Sequence, residues 1–203
     1  MKKLSALVAA IAIAATLAAG CGGGQKAAAP VPAEKKSIKV GVTAGPHAEI
    51  MEAVKNVAAK DGLEIQIVEF SDYITPNVAL SQGDIDVNSY QHQPFLDNQV
   101  KDRKYEIVSI GKTVIFPMGF YSKKVKDAAE IKNGASVAIP NDPSNGGRAL
   151  LLLEKAKLIK LKPDAGIKAT VADIVANPKN IKIKELDAAQ IPRSLDDVDA
   201  AAI

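Results

Sequence analysis

From Ser37 to Val42 the apolar residues Ile38, Val40 and Val42 alternate with Lys39 and Gly41, the two-residue period of a strand. The period then lengthens. Pro46 opens a segment in which Ile50, Met51, Val54, Val57 and Ala58 share one helical face, and Gly62 closes it. Ile65, Ile67 and Phe70 predict a second strand, Pro76 to Gln82 a short helix ended by Gly83, and Ile85 to Ser89 a third strand, which together make a βαβαβ pattern. Pro94 to Lys104 opens a further helix, and two extended stretches, Glu106 to Ile110 and Lys112 to Tyr121, flank Gly111. A second cycle follows: a helix over Asp127 to Ile131 stopped by Asn133-Gly134, a strand at Val137 to Ile139, and a strongly apolar helix from Ser144 to Leu158. Thr170 to Ala176 reads as a short helix before Pro178, Ile181 to Leu186 as a strand, and Ala200 to Ile203 as a last strand. No internal repeat accompanies the second cycle. The expected fold class is α/β, with lobe one over 37–111 and the crossover and lobe two over 112–203. A cleft between the lobes is the expected binding place. A second lobe inserted into a first requires the chain to return. The expectation is therefore that lobe one is incomplete, with its return crossover and last elements lying beyond Ile203; the other reading is a small protein that ends on a buried strand.

The first residues carry a different pattern. Lys2 and Lys3 precede an Ala/Leu/Ile-rich run from Leu4 to Ala19, then Gly20 and Cys21. A membrane span needs about 20 strongly apolar residues, and this run is Ala-rich and shorter, so residues 1–20 read as a secretory signal peptide. Leu17-Ala18-Ala19-Gly20-Cys21 resembles the bacterial lipobox, with Ala18 standing where Leu is usual. Cys21 is the single cysteine of the chain. Acyl chains on Cys21, each buried methylene contributing about 0.8 kcal/mol, would anchor the mature protein to a membrane on its extracytoplasmic face. The stretch 21–36, with three glycines, alanines and two prolines, shows no apolar period and reads as a flexible tether.

Composition narrows the chemistry. One cysteine excludes a disulfide framework or a thiolate-rich metal site, and two histidines leave little for a His-based one, so no metal and no cofactor are expected. The 26 Lys and Arg against 23 Asp and Glu suggest a slight basic excess. Lys2 and Lys3 belong to the leader, and without them the balance is nearly neutral, which removes the argument for nucleic acid.

All four Tyr and all four Phe fall between Phe70 and Tyr121. Several follow predicted strand ends, at Phe70-Ser71-Asp72-Tyr73 and Tyr90-Gln91-His92-Gln93-Pro94-Phe95, the rim where open α/β sheets bind ligands. Tyr73, Tyr90 and Tyr121 are assigned to the cleft, whereas core packing is favoured for Phe95, Phe116 and Phe120. His92 has two open readings, lining a pocket or closing a loop, and His47 stands alone near a helix start. No serine elbow or second histidine at metal spacing makes either one catalytic. In Asn141-Asp142-Pro143-Ser144-Asn145-Gly146-Gly147-Arg148, Ser144 or Asn145 is placed to cap the long helix, Gly146 and Gly147 allow close approach, and Arg148 adds a fork of donors. Such a segment either binds an anion, a carboxylate in preference to a phosphate, or is a capped helix with a surface arginine.

Val40-Gly41-Val42 with Gly45-Pro46, Phe70-Ser71-Asp72-Tyr73, Asn88-Ser89-Tyr90-Gln91-His92-Gln93-Pro94, Tyr121-Ser122-Lys123-Lys124, the Asn141 to Arg148 segment, Asn177-Pro178-Lys179-Asn180 and Glu185 to Gln190 with Pro192-Arg193 carry a resemblance. Together they resemble the methionine-binding lipoproteins of the NlpA family, the substrate-binding components of methionine ABC importers. The resemblance implies a two-lobed periplasmic-binding-protein (type II) fold that captures L-methionine and delivers it to an ABC permease and its ATPase subunits. It implies that Arg148 clamps the substrate carboxylate, that Tyr73, Tyr90, His92 and Tyr121 surround the side chain, and that Asn145 is a polar partner. It also implies an asparagine, shortly after the strand ending at Ile203, that helps hold the amino group. The alternatives within the binding class are another amino acid or a methionine-containing dipeptide. Outside it stand a surface lipoprotein without transport, and an enzyme using Asp72, Asp84 and His92 as acid and base; no catalysis is the expectation.

Overall fold

The computed structural model describes residues 36–203. The expected leader and Cys21 lie outside the described residues, as does the tether apart from Lys36, which already belongs to the first strand. The chain forms β1 (Lys36–Thr43), α1 (Pro46–Ala58), β2 (Leu63–Phe70), α2 (Thr75–Gln82), β3 (Val87–Asn88) and α3 (Gln93–Arg103). The first sheet has the order β2-β1-β3, all parallel, with Val40 opposite both Ile67 and Val87. A central parallel strand is covered on both faces, and Val40 to Thr43 are accordingly buried. Gly41 lets Ile85 and Phe70 close over the strand: a Cβ there would stand 2.5 Å from Ile85 Cδ1 and 3.0 Å from the Phe70 ring, so both side chains would have to shift.

α1 departs from expectation. Ala48 and Met51 pack on Val40, Val42 and Ile65, but Ile50, Val54 and Val57 open outward. Ile50 and Met51 are about 100° apart around the helix, so only the Met51 row meets the sheet and the predicted apolar face is split. The extended stretches predicted over Glu106 to Ile110 and Lys112 to Tyr121 shrink to β4 (Phe120–Tyr121), and no strand forms over 104–119. Extended backbone becomes sheet only when a neighbour completes its ladder. Here Val108, Ile110 and Ile115 are 77%, 84% and 91% exposed.

The second sheet is built from β4, β5 (Ser136–Pro140), β8 (Lys182–Leu186) and β9 (Ala200–Ala202), in the order β4-β9-β5-β8. β5 runs parallel to β8 and β9, while β4 is antiparallel to β9. On one face α4 (Pro143–Lys155) buries Ala149, Leu150 and Leu153 against Val137 and Ile139. On the other, a long 3₁₀ turn over Ala188–Asp196, which the periodicity does not predict, drives Ile191 onto Ala138, Val198 and Ala201. A small antiparallel pair, β6 (Lys160–Leu161) with β7 (Ile174–Ala176), replaces most of the helix expected over Thr170 to Ala176. Only Val171–Asp173 forms a 3₁₀ turn, with the Asp173 carboxylate accepting from the Thr170 amide and hydroxyl; the β-branched Ile174 and Val175 then continue extended. The helix expected over Asp127 to Ile131 is likewise a 3₁₀ turn, Ala128–Glu130.

Asp199 fastens the second sheet together. Its Oδ2 accepts from the Ser136 amide at 2.7 Å and the Ser136 hydroxyl at 3.0 Å, and its Oδ1 accepts from Lys124 Nζ at 3.0 Å. Those bonds, the Ser136 amide foremost and then Lys124, hold its carboxyl at about 2. An ordinary unfolded-chain aspartate titrates near about 3.9. The stabilisation is therefore present above that value and is lost as pH falls toward about 2. Acid-unfolding curves should show that loss in the wild-type chain and a shallower slope over the same window in Asp199→Asn. Gly147 gives a second test: a Cβ there would stand 2.0 Å from Ile167 O. Gly147→Ala should destabilise the fold by about 1–3 kcal/mol, read as a lowered urea midpoint, even though alanine is the better helix former.

Candidate functional site

The loops that follow β1, β2 and β3 leave the first sheet at its carboxyl end, and the loops after β5 and β8 leave the second sheet at its own carboxyl end. After β2, the Asp72 carboxylate accepts from the amides of Ile74 and Thr75, both at 2.7 Å, and from the Thr75 hydroxyl at 2.6 Å. Burial pushes the Asp72 carboxyl up, and these bonds outweigh it, leaving it below the usual carboxylate range. This turn fixes Tyr73, whose carbonyl accepts from Tyr90 Oη at 2.9 Å. The Tyr73 and Tyr90 rings lie 6.1 Å apart, and each meets Phe95 edge-on, at 6.4 and 6.2 Å. His92 stacks on Phe95 at 6.4 Å. Phe95 is 3% exposed, so it is the core residue expected of it and also the floor of the aromatic group.

The opposing wall comes from the start of α4. Here the capping residue differs from the expectation of Ser144 or Asn145: it is Asp142, whose Oδ1 accepts from the Asn145 amide at 2.9 Å and from Ser144 Oγ at 2.7 Å. Asp142 Oδ2 accepts from Asn145 Nδ2 at 3.0 Å. A carboxylate bonds this helix start more strongly than a hydroxyl or amide can, and it leaves little positive potential there for an outside anion. The glycines also serve the fold rather than a ligand. A Cβ on Gly146 would stand 2.9 Å from Pro140 O, and Gly147 admits the 166–168 turn. Positive charge therefore comes from Arg148, half-buried, with Nη1 donating to Asn145 Oδ1 at 3.0 Å and Nη2 to Phe116 O at 3.3 Å.

Electrostatics tie the two walls together. His92 titrates below its ordinary value, first because it is buried and then because of the Arg148 guanidinium, with Asp142 pulling the other way. Tyr73 titrates above its ordinary value through burial, then through Asp142 and Asp187. Burial likewise pushes the Tyr90 phenol up. His92 Nε2 is enclosed and, among the described residues, has no hydrogen-bond partner. Tyr73, Tyr90, His92, Asn145 and Arg148 thus belong to one region.

Tyr121 stands differently. It is 50% exposed, its ring folds over Gly119, and among the described residues no ring contact joins it to the aromatic group. Phe120 packs on the second core as expected, but Phe116 does not: it is 43% exposed and meets the His47 ring edge-on at 5.1 Å. Burial lowers the His47 pKa. Asp84 lines a separate groove of about 470 Å³ between β2 and α2 that shares no lining residue with the aromatic group. Asp72, held by its own turn, is not paired with Asp84 as an acid and base would be. Three contributors escape a reading of the residues alone: Asp142 as cap, the Phe116 carbonyl as an acceptor for Arg148, and Asn77, fully buried behind Tyr90. Asp142 directly before Pro143, the first residue of α4, is an available signal for the first.

An α/β chain that gathers aromatic rings, a histidine and a guanidinium at the carboxyl ends of two sheets presents a face suited to a small molecule with an apolar part and an anionic group. The comparisons with known proteins agree in kind. The family model of the NlpA lipoproteins matches residues 38–203. A D-methionine-binding lipoprotein of Salmonella typhimurium is 52% identical over 184 residues, covering 90% of this chain and 65% of the relative. A crystal structure of a methionine-binding protein superposes with a TM-score of 0.81 at 51% identity, covering 84% of this chain and 71% of that one. A nutrient-binding protein from Burkholderia cenocepacia, solved bound to methionine, gives 0.78 at 57% identity, covering 82% and 70%. The chain belongs to the NlpA lipoprotein family, and it spans about two thirds of the length of its relatives, 65% for the Salmonella protein.

The juxtaposition of His92 with Arg148 has a direct readout. His92 should titrate below 6.5 by NMR in the wild-type chain, and its midpoint should rise in Arg148→Ala, because removing the cation relieves the charged imidazole.

Proposed function

We propose that this chain is an extracytoplasmic substrate-binding lipoprotein that captures methionine between the carboxyl ends of its two sheets and hands it to an ABC permease and its ATPase subunits. The carrying observation is that Arg148, bonded to Asn145, lies near enough to His92 for its charge to act on that ring, beside the Tyr73, Tyr90 and Phe95 rings, which gives an anionic group and an apolar tail separate partners in one region. Arg148 donates to the substrate carboxylate in place of the Phe116 carbonyl, a trade of a neutral acceptor for a charged one. Asn145, held by Asp142, accepts from Nη1 and so fixes one end of the guanidinium. The aromatic rings take the side chain, and thioether contacts with them contribute about 0.3–1.5 kcal/mol each, which favours methionine over leucine. His92 Nε2, enclosed and unpartnered, supplies a further polar contact. Tyr121 joins the site when the two lobes, 37–111 and 112–203, close over the ligand. Cys21 carries the lipid anchor, and the 21–36 tether lets the folded part reach the permease.

The match to a D-methionine-binding relative makes both enantiomers the appropriate probes. Isothermal titration of the chain should show binding of methionine, L or D, and no binding of aspartate or lysine. In Arg148→Ala, loss of a charge-assisted bond of about 1.5–3 kcal/mol should weaken binding by about 10- to 150-fold. Wild-type affinity in that variant would remove Arg148 from the carboxylate.

A further inference from the structure

Behind Tyr90 and His92 lies a closed ring of three carboxamides, and we infer that Asn77 is a positioning residue that sets where those two site residues point. The inference rests on the binding function proposed above and concerns how its site is held. Asn77 is fully buried in the first turn of α2, directly after Pro76. Its Nδ2 donates to Gln91 Oε1 at 2.9 Å, and its Oδ1 accepts from Gln91 Nε2 at 2.7 Å, so the two amides form a reciprocal pair. Asn88 closes the ring: its Nδ2 donates to Asn77 Oδ1 at 2.9 Å, and its Oδ1 accepts from Gln91 Nε2 at 3.1 Å. A reciprocal amide pair fixes both planes and admits one orientation of each group.

Geometry connects this ring to the site. Neighbouring side chains of an extended segment point to opposite sides. With Gln91 drawn toward α2, Tyr90 and His92 turn the other way, toward the aromatic group. The body to which Gln91 is fastened is the same turn that carries Tyr73, because Asp72 caps it two residues before Ile74 and the Val78 amide donates to Ile74 O. The carbonyl of Tyr73 then receives the Tyr90 hydroxyl. Asn77 thus refers Tyr90 and His92 to the frame of Tyr73. After β3 the Ser89 amide donates to Gly41 O at 2.8 Å, the one backbone bond from 89–92 to the first sheet among the described residues, so side chains must supply the rest.

Asn77→Leu tests the inference at the same branched shape. It removes both polar atoms, so Gln91 Oε1 loses its donor and Gln91 Nε2 keeps only Asn88 Oδ1. Asn88→Ala, at a half-buried position, is the second variant and carries the test if the first fails to fold. Leu153→Ala, which opens a cavity in the other core, controls for general destabilisation. In ligand-free protein, both ring variants should shift the His92 imidazole NMR resonances and speed amide exchange at 89–92 by about tenfold or more, the scale of one buried polar group left unpaired. Leu153→Ala should leave the His92 resonances in place, and methionine affinity should fall by about tenfold in the ring variants. Unchanged His92 resonances and exchange in both ring variants, or an equal change in Leu153→Ala, would overturn the inference. Failure of the wild-type chain to bind methionine counts against the binding reading alone, since the His92 and exchange measurements decide the positioning role without ligand.

Discussion

Both oxygens of Asp142 are taken up by the first turn of the helix they cap, and the character of the proposed binding face follows from that. A free helix start attracts anions through its unpaired amides and its dipole. Here the Asn145 amide, the Asn145 side chain and Ser144 all donate to one aspartate. Any carboxylate arriving from solvent meets a helix end already neutralised by its own chain, so the guanidinium of Arg148, one turn further along, has to supply the attraction. The same aspartate fixes Asn145, and Asn145 in turn accepts from Arg148. Asp142, Asn145 and Arg148 form one hydrogen-bonded sequence.

The opposite wall is organised by a different device. Aromatic rings pack with edges against faces over Phe95, which is buried, and they are aimed by local polar contacts: the Asp72 turn under Tyr73, the hydroxyl bridge from Tyr90, and the carboxamide ring under Gln91. Rigid rings held at fixed angles lose little entropy when they take up an apolar side chain. Parallel sheets place both walls at carboxyl ends, which is where the βα loops of such sheets converge. Sheet topology thus sets where the proposed site lies, while capping and amide pairing set how its side chains are held.

Elements with an unbroken period and a clear stop were legible in the residues. β1, β2, α3 and α4 fall where alternation or helical spacing puts them, and Gly62 and Gly83 take the left-handed conformation at the helix ends they close. The aromatic and Asn141 to Arg148 segments stood out in the sequence as candidates, and Tyr73, Tyr90, His92, Asn145 and Arg148 do come together, while Tyr121 stands apart. What escaped depends on partners far away in the chain. The stretch over 106–119 has strand composition but no neighbouring strand, and α1 shows an apolar face of which only the Met51 row finds a sheet. Ile174 and Val175 left the expected helix because β6 lies alongside to pair with them. Asn77 carries no local signal at all, since its importance lies in meeting Gln91, 14 residues on.

The central claim is that this pairing of an arginine with a cluster of rings selects methionine. Mass spectrometry of the small molecules released on denaturing natively purified protein tests it most directly, because the protein chooses the ligand without prompting. Methionine at one equivalent per chain is the predicted result. A stoichiometric ligand that lacks either an α-carboxylate or an apolar side chain, or a protein that is empty and stays empty when methionine is supplied, would contradict it.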